Sequence, residues 1–264
     1  MQIELIGCTS AGKSTLIRSI LQASRKQEPG ILTGDDFVLQ QIGLKWIKSH
    51  LLRTFLLNLA GFFACLVTWR NKRKLYLFVT QLLFRLPIGR LEKFNLLRNV
   101  LKKIGIYEII RFRNKDNQII LVDEGVLQIA HNLFVHVSVE VKMEALPTFA
   151  GLIPLPDVII YLKQPESLLI DRIVKRGHKR IPDRSYSNVV RFVKRAVATF
   201  DNLMQQPAVV NRVLVVDGSQ DVIMATNHTR PQDDPIMELA SKIIRSGFTG
   251  DTAGTLTKEI MHVG

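Results

Sequence analysis

Gly7-Cys8-Thr9-Ser10-Ala11-Gly12-Lys13-Ser14-Thr15 is a full match to the pattern G-x-x-x-x-G-K-[ST]. It constrains the fold because such a loop works only between a strand and the helix that follows it. The flanks fit. Gln2-Ile3-Glu4-Leu5-Ile6 reads as a short strand, and residues 15–21 carry apolar side chains at helical spacing. Glycines at 7 and 12 let successive N–H groups turn inward toward an anion, and the helix aims its positive end at the same point. In that arrangement Lys13 reaches the β- and γ-phosphates of a nucleoside triphosphate, and Ser14 offers a hydroxyl to Mg²⁺. The whole loop, Gly7 to Thr15, is the expected nucleotide-binding set.

Further strands are expected at 119–122, 158–162 and 212–216, with helices at 126–143, 166–176 and 187–204 between them. The strands are continuous apolar runs, which suit a parallel sheet covered on both faces. Their alternation with helices predicts a doubly wound α/β fold. The 264 residues are 47% apolar, ample for one core with an elaboration. Cys8 and Cys65, the two cysteines, offer neither a disulfide framework nor metal spacing. A reducing cytoplasm is therefore expected, and a binding strand opening at residue 2 leaves no signal peptide before it. Residues 246–264 are small and polar and read as a flexible tail.

Charge is placed unevenly. Residues 44–115 hold sixteen Lys and Arg against Glu92 and Glu108, a net +14 in a chain of net +13. Within that segment Thr54–Trp69 is sixteen residues without a charge. Arg70-Asn71-Lys72-Arg73-Lys74 then interrupts it, and Leu75–Phe84 is again uncharged. Three readings stand side by side: helices packed on the core, an element lying on an anionic membrane surface, and a nucleic-acid face. The high apolar content argues against nucleic acid as a partner. A spanning helix needs about twenty apolar residues, more than the run provides.

Several residues outside the loop bear chemistry. Asp123 and Glu124 end a strand at the edge where parallel sheets bind ligands. One would hold the metal with Ser14, with Asp123 the candidate, and the other would accept a proton from an attacking hydroxyl. Arg172, Arg176 and Arg180 lie in a dense basic stretch around Gly177, a helix stop from which a lid could close over transferring charge. Asp217-Gly218-Ser219 follows the last strand and would cup the nucleotide base. Asp35, Asp36 and His131 are candidates for contact with an acceptor. A GTPase is disfavoured because Asp123-Glu124-Gly125 is not D-x-x-G and Asn114-Lys115-Asp116-Asn117 is not N-K-x-D. No L-S-G-G-Q stretch suggests a transporter ATPase.

Taken together, the loop at 7–15, the acids at 123–124, the arginine stretch at 172–180 and Val215-Val216-Asp217-Gly218-Ser219-Gln220 resemble nucleoside and nucleoside-monophosphate kinases. Thymidylate-kinase-like proteins are the nearest group, and Glu28-Pro29-Gly30 looks like their E-P-G. The resemblance covers 1–36 and 117–245 as a P-loop kinase core, with 37–116 as a helical basic insert. It implies a five-stranded parallel sheet of order 2-3-1-4-5, a lid, and the use of ATP with Mg²⁺. Where that group carries an aspartate-arginine pair, this chain has Asp123-Glu124, and the insert occupies the acceptor position. The expected activity is an ATP-dependent kinase acting on a hydroxyl or phosphate of an unassigned small-molecule or lipid-linked acceptor. Two alternatives are a switch ATPase that couples hydrolysis to protein or membrane binding, and a polynucleotide 5′-kinase. The expected location is cytoplasmic, with peripheral attachment at the inner face of the membrane if the insert meets lipid.

Overall fold

The computed structural model describes residues 1–24, 30–114, 118–137, 139, 141, 143–178, 180, 181, 183 and 185–218. Its centre is a sheet of five parallel strands: β1 (Gln2–Ile6), β2 (Leu32–Thr33), β3 (Ile120–Asp123), β4 (Val158–Lys163) and β5 (Val213–Asp217). Their order is β2-β3-β1-β4-β5. β1 is central, with Ile3 opposite Leu121 on one side and Val158 on the other. Ile3, Leu5, Ile6, Ile120, Leu121, Ile159 and Ile160 are all buried, as strands covered on both faces require. The expected α/β class and five-stranded parallel sheet are what this chain forms.

The helices are α1 (Lys13–Ser24), α2 (Gly34–Gln41), α3 (His50–Arg85), α4 (Arg90–Arg113), α5 (Ile129–Phe134), α6 (Leu146–Leu152), α7 (Glu166–Arg176) and α8 (Tyr186–Met204). α8 has strong amphipathic spacing. Its Val189, Phe192, Val193, Ala196, Phe200 and Leu203 are buried in the main core. Thr33 caps α2, its hydroxyl accepting from the Asp36 N–H at 3.1 Å.

Within residues 37–114 the helices are bound into this core. A second apolar cluster joins Phe37 and Val38 of α2, Leu57 of α3 and Ile106 and Ile110 of α4 to Ile120 and Val122 of β3. α2, α3 and α4 therefore form the connection between β2 and β3, and α4 covers the sheet. α3 and α4 make a long hairpin that turns at Pro87 and Gly89. Well away from that turn, Gly61 of α3 and Gly105 of α4 meet backbone to backbone, and a Cβ on Gly61 would lie 2.9 Å from Cα of Lys102. Lys72 lies 3.5 Å from the buried Glu108 carboxylate across the same seam.

One expected helix is much shorter than its sequence pattern. In place of 126–143, α5 ends at Phe134, and a 3₁₀ turn follows at Met143–Ala145. The reason lies in α8. The Arg195 guanidinium donates to the carbonyls of His136 at 2.6 Å, Val137 at 3.2 Å and Val139 at 2.8 Å. Those carbonyls are thus satisfied by a side chain instead of a helical ladder, and the β-branched valines suit extended backbone. Glu28, Pro29, Ser219, Gln220 and the expected tail at 246–264 lie outside the described residues.

Candidate functional site

The loop after β1 bends as its sequence requires. Gly7, Ser10 and Gly12 have positive φ values of 147°, 68° and 102°. Gly7 has no room for a side chain, since a Cβ there would lie 2.6 Å from the Leu162 carbonyl oxygen on β4. Lys13 opens α1, and its buried ammonium folds back over the loop. It donates to the carbonyls of Gly7 and Cys8, both at 3.0 Å, and lies 3.6 Å from a carboxylate oxygen of Glu124. Desolvation pushes the buried Cys8 thiol up to about 12, so it is inert as a nucleophile.

Asp123 and Glu124 close the mouth of the loop from β3. Ser14 donates its hydroxyl to Asp123 Oδ2 at 3.1 Å. The two carboxyls are pushed apart in acidity. Burial, then the neighbouring Glu124 charge, raises Asp123. Burial also works against the Glu124 anion, but the charges of Lys103 and Lys13 outweigh it and hold that carboxyl below its usual range. The hydroxyl–carboxylate pair of Ser14 and Asp123 suits a hard cation such as Mg²⁺, which takes few protein oxygens and keeps several waters. Among the described residues, no group of three or more His, Cys, Asp or Glu could hold a metal. A site completed by phosphate and water therefore fits the donor set better than a protein cage.

Two residues that sequence reasoning missed stand beside this cluster. Lys103 of α4 reaches across to the turn, donating to the Glu124 carbonyl at 2.5 Å and lying 4.0 Å from its carboxylate. Burial lowers its affinity for the proton, while Glu124 and Glu4 oppose that. The sequence does carry a signal: position 103 lies three after Val100 and four before Tyr107, on the buried stripe of α4. A lysine there invites a search for its partner.

Glu4 is the second. It sits in the middle of β1, wholly buried, and its Oε1 accepts from the N–H groups of Leu127 at 2.8 Å and Gln128 at 3.3 Å. It thereby pins the backbone just beyond Asp123-Glu124. A Cβ on Gly125 would lie 2.7 Å from that carboxyl. Desolvation raises Glu4 to about 7, with the Lys103 charge and the backbone N–H donors opposing. Its other oxygen has no hydrogen-bond partner, consistent with a carboxyl that is protonated in mildly acidic solution.

This has a measurable consequence. A carboxyl whose pKa rises on folding stabilises the fold most below its unfolded value of 4.5, and that contribution is lost as pH climbs through about 7. The displacement corresponds to roughly 3 kcal/mol. The buried His131 and His136 are lowered on folding by desolvation and then by Arg180, so they act in the opposite direction, losing stability as pH falls. Comparing wild type with Glu4→Gln in urea titrations from pH 5 to 8 isolates the carboxyl. Wild type should lose more stability than the variant across that range. Parallel curves would show that Glu4 does not titrate there.

The remaining candidates divide. Arg172 of α7 lies over the loop, donating to the Ser10 carbonyl at 3.0 Å. Arg176 is exposed in the last turn of the same helix, which ends at Gly177 with φ +77°. Arg180 is occupied elsewhere. Its guanidinium donates to the carbonyls of His131 and Val135 and to Asn132 Oδ1, at 3.3, 3.0 and 3.0 Å, bracing the end of α5. His131 is buried between Phe192 and Phe200, with ring centroids 5.4 and 5.9 Å away. Asp36 is taken by Thr33 at 2.7 Å and by Arg53 of α3 at 2.5 Å. Burial resists its ionisation, but those two partners outweigh it and keep the carboxyl low. Asp35 is exposed in the first turn of α2. Asp217 ends β5 opposite Lys163 of β4, and Gly218 is buried against the Gln164 side chain. The site thus gathers Lys13, Ser14, Asp123, Glu124, Lys103 and Arg172 at the C-terminal edge of β1 and β3. A scan against protein-family models gives no match to this chain, and neither does a search of curated proteins.

Proposed function

We propose that this chain is an ATP-dependent phosphotransferase that moves a γ-phosphoryl group onto a small acceptor through a hydroxyl or a phosphate. The observation that supports this reading best is the pairing of two carboxylates with two ammonium groups, Lys13 buried and Lys103 partly exposed, at one sheet edge. Lys13 and Ser14 face the loop. Glu124 lies between the two cations, 3.6 Å from Lys13 and 4.0 Å from Lys103, and Lys103 comes from a different element. A site that only held and hydrolysed a nucleotide has no need of that second cation and acid. The likeness to thymidylate-kinase-like proteins, carried by residues 7–15, 123–124, 172–180 and 215–220, points the same way.

In this reading the loop amides and Lys13 bind the phosphates, Lys13 exchanging its two carbonyl contacts for phosphate oxygens. Ser14 and Asp123 hold Mg²⁺, which when bound neutralises charge on those oxygens. Arg172, already over the loop, adds a cation where charge shifts during transfer. Asp123 is taken by Ser14 and the cation, so Glu124, kept ionised by Lys13 and Lys103, is the carboxylate that would orient the acceptor and take a hydroxyl proton. Lys103 beside it favours an anionic acceptor and stands in for the arginine missing after Asp123.

The test is ADP release from ATP and Mg²⁺ against nucleosides, nucleoside monophosphates, sugars, sugar phosphates and polyprenyl phosphates. Stimulation by one class, strongest for a phosphorylated member, is expected. Turnover indifferent to every acceptor would replace this reading with a switch ATPase.

A further inference from the structure

We propose that the outer face of α3 is a docking surface for an anionic lipid bilayer, on which the helix lies flat. This inference is independent of the phosphotransferase reading and rests on a different part of the molecule. α3 has two unlike faces. Its inner face, with Leu57, Gly61, Cys65, Leu75, Val79 and Leu83, is buried against α4 and the core. Its outer face exposes Phe55, Leu59, Phe62, Phe63, Leu66 and Val67, the last 84% accessible. These positions recur at intervals of three and four, so they form one continuous apolar stripe. Only 22% of the residues in the most apolar eighteen-residue window of this helix are buried. A core helix of a water-soluble domain would show the reverse.

Charge identifies the partner. The stripe runs directly into Arg70, Arg73 and Lys74, all exposed and on the same face by the same spacing. With Lys72 they line an open cleft of about 490 Å³ against Gly151 and Leu152 of α6, a volume that admits a phosphate group. At the other end stand the exposed Lys45 and Lys48. Trp46 and Trp69, both exposed, bracket the apolar stretch, as indole rings do where hydrocarbon meets water. An apolar stripe with cations at both ends matches acyl chains beneath a layer of anionic headgroups. A second copy of this chain is a poor occupant, because segment 44–115 carries +14 and two such faces would repel.

The packing also selects lying over crossing. The inner face of α3 is held by α4, which carries Arg90, Lys93, Arg98, Lys102, Lys103, Arg111 and Arg113, and the seam between them contains the Lys72–Glu108 pair. A spanning α3 would draw these charges into hydrocarbon, at a cost of several kcal/mol for each. Lying flat buries only the outer stripe and leaves α4 and the sheet edge in water.

The experiment is sedimentation of the full chain with phosphatidylcholine vesicles, with and without phosphatidylglycerol. Two variants are used: Phe63→Ser/Leu66→Ser/Val67→Ser and Arg70→Ala/Arg73→Ala/Lys74→Ala. All six residues are exposed, so both variants should keep the wild-type circular dichroism and melting temperature. Wild type should sediment with the anionic vesicles, stay in solution with the neutral ones, and be released by high salt. The basic variant should partition about a hundredfold more weakly, the loss of three surface cations, and the apolar variant should also lose binding. Equal sedimentation with neutral vesicles, no sedimentation, or retention after a high-salt wash would each overturn the proposal. Concentration-dependent dimerisation abolished by the apolar variant, without vesicle binding, would assign the face to a second copy instead.

Discussion

Lys13→Ala should lower ATP turnover about a thousandfold, while the variant still folds. The ammonium is buried in the loop, held by two carbonyls, and is the cation nearest the place where β- and γ-phosphates would sit. Removing one preorganised electrostatic contact at a reacting centre typically costs two to three orders of magnitude in rate. The loop itself is shaped by the glycine geometry at 7 and 12 and by packing against β4. The melting temperature should fall by a few degrees without loss of the fold, since truncating Lys13 leaves the buried Gly7 and Cys8 carbonyls without their ammonium donor. Steady-state ADP release and a thermal melt, taken together, separate loss of chemistry from loss of fold. Near-normal turnover in a folded Lys13→Ala variant would mean that this loop does not hold the reacting phosphates.

The second large effect is expected at Lys103. Substitution to Met keeps the length and the apolar stem but removes the ammonium beside Glu124. The acceptor kcat/KM should fall by about ten- to a hundredfold, as expected for a lost hydrogen bond to a charged group. KM for ATP should stay close to wild type, because Lys13 and the loop amides are intact. The pH profile provides a further readout. Lys103 is the largest influence holding Glu124 below its usual acidity range. Without it the Glu124 carboxyl rises, so the acid limb of the rate profile should move to higher pH. A merely structural lysine would change stability and leave that limb in place.

Much of the fold is legible in the residues. Apolar runs at 119–122, 158–162 and 212–216 mark parallel strands because a sheet covered on both faces leaves no solvent side to be polar. β2 is hard to read: it is two residues long and is held as a strand by pairing Leu32 and Thr33 with Ile120 and Leu121. Such a strand exists through its neighbour. α5 is shorter than its sequence pattern for a related reason, since Arg195, some sixty residues away in sequence, takes the carbonyls that a longer helix would use.

The site was legible where its chemistry is local. Lys13, Ser14, Asp123 and Glu124 are named by the loop pattern and by a strand-end acid pair. Lys103 and Glu4 were not, because each matters through partners more than twenty residues distant, Glu124 for one and the backbone at Leu127 and Gln128 for the other. Their signature is a charged residue on a stripe that should be apolar. Arg180 and His131 stand apart from that cluster. They lie in a suggestive stretch of sequence, yet one braces the end of α5 and the other is packed between phenylalanines.

The fate of the γ-phosphate tests the central claim most directly. With ATP labelled in that group, Mg²⁺ and the acceptor class that best stimulates ADP release, the label should appear on the acceptor in step with ADP. It should do so in wild type and not in Lys13→Ala. Label released wholly as inorganic phosphate, at a rate unaffected by any acceptor, would contradict the phosphotransferase account.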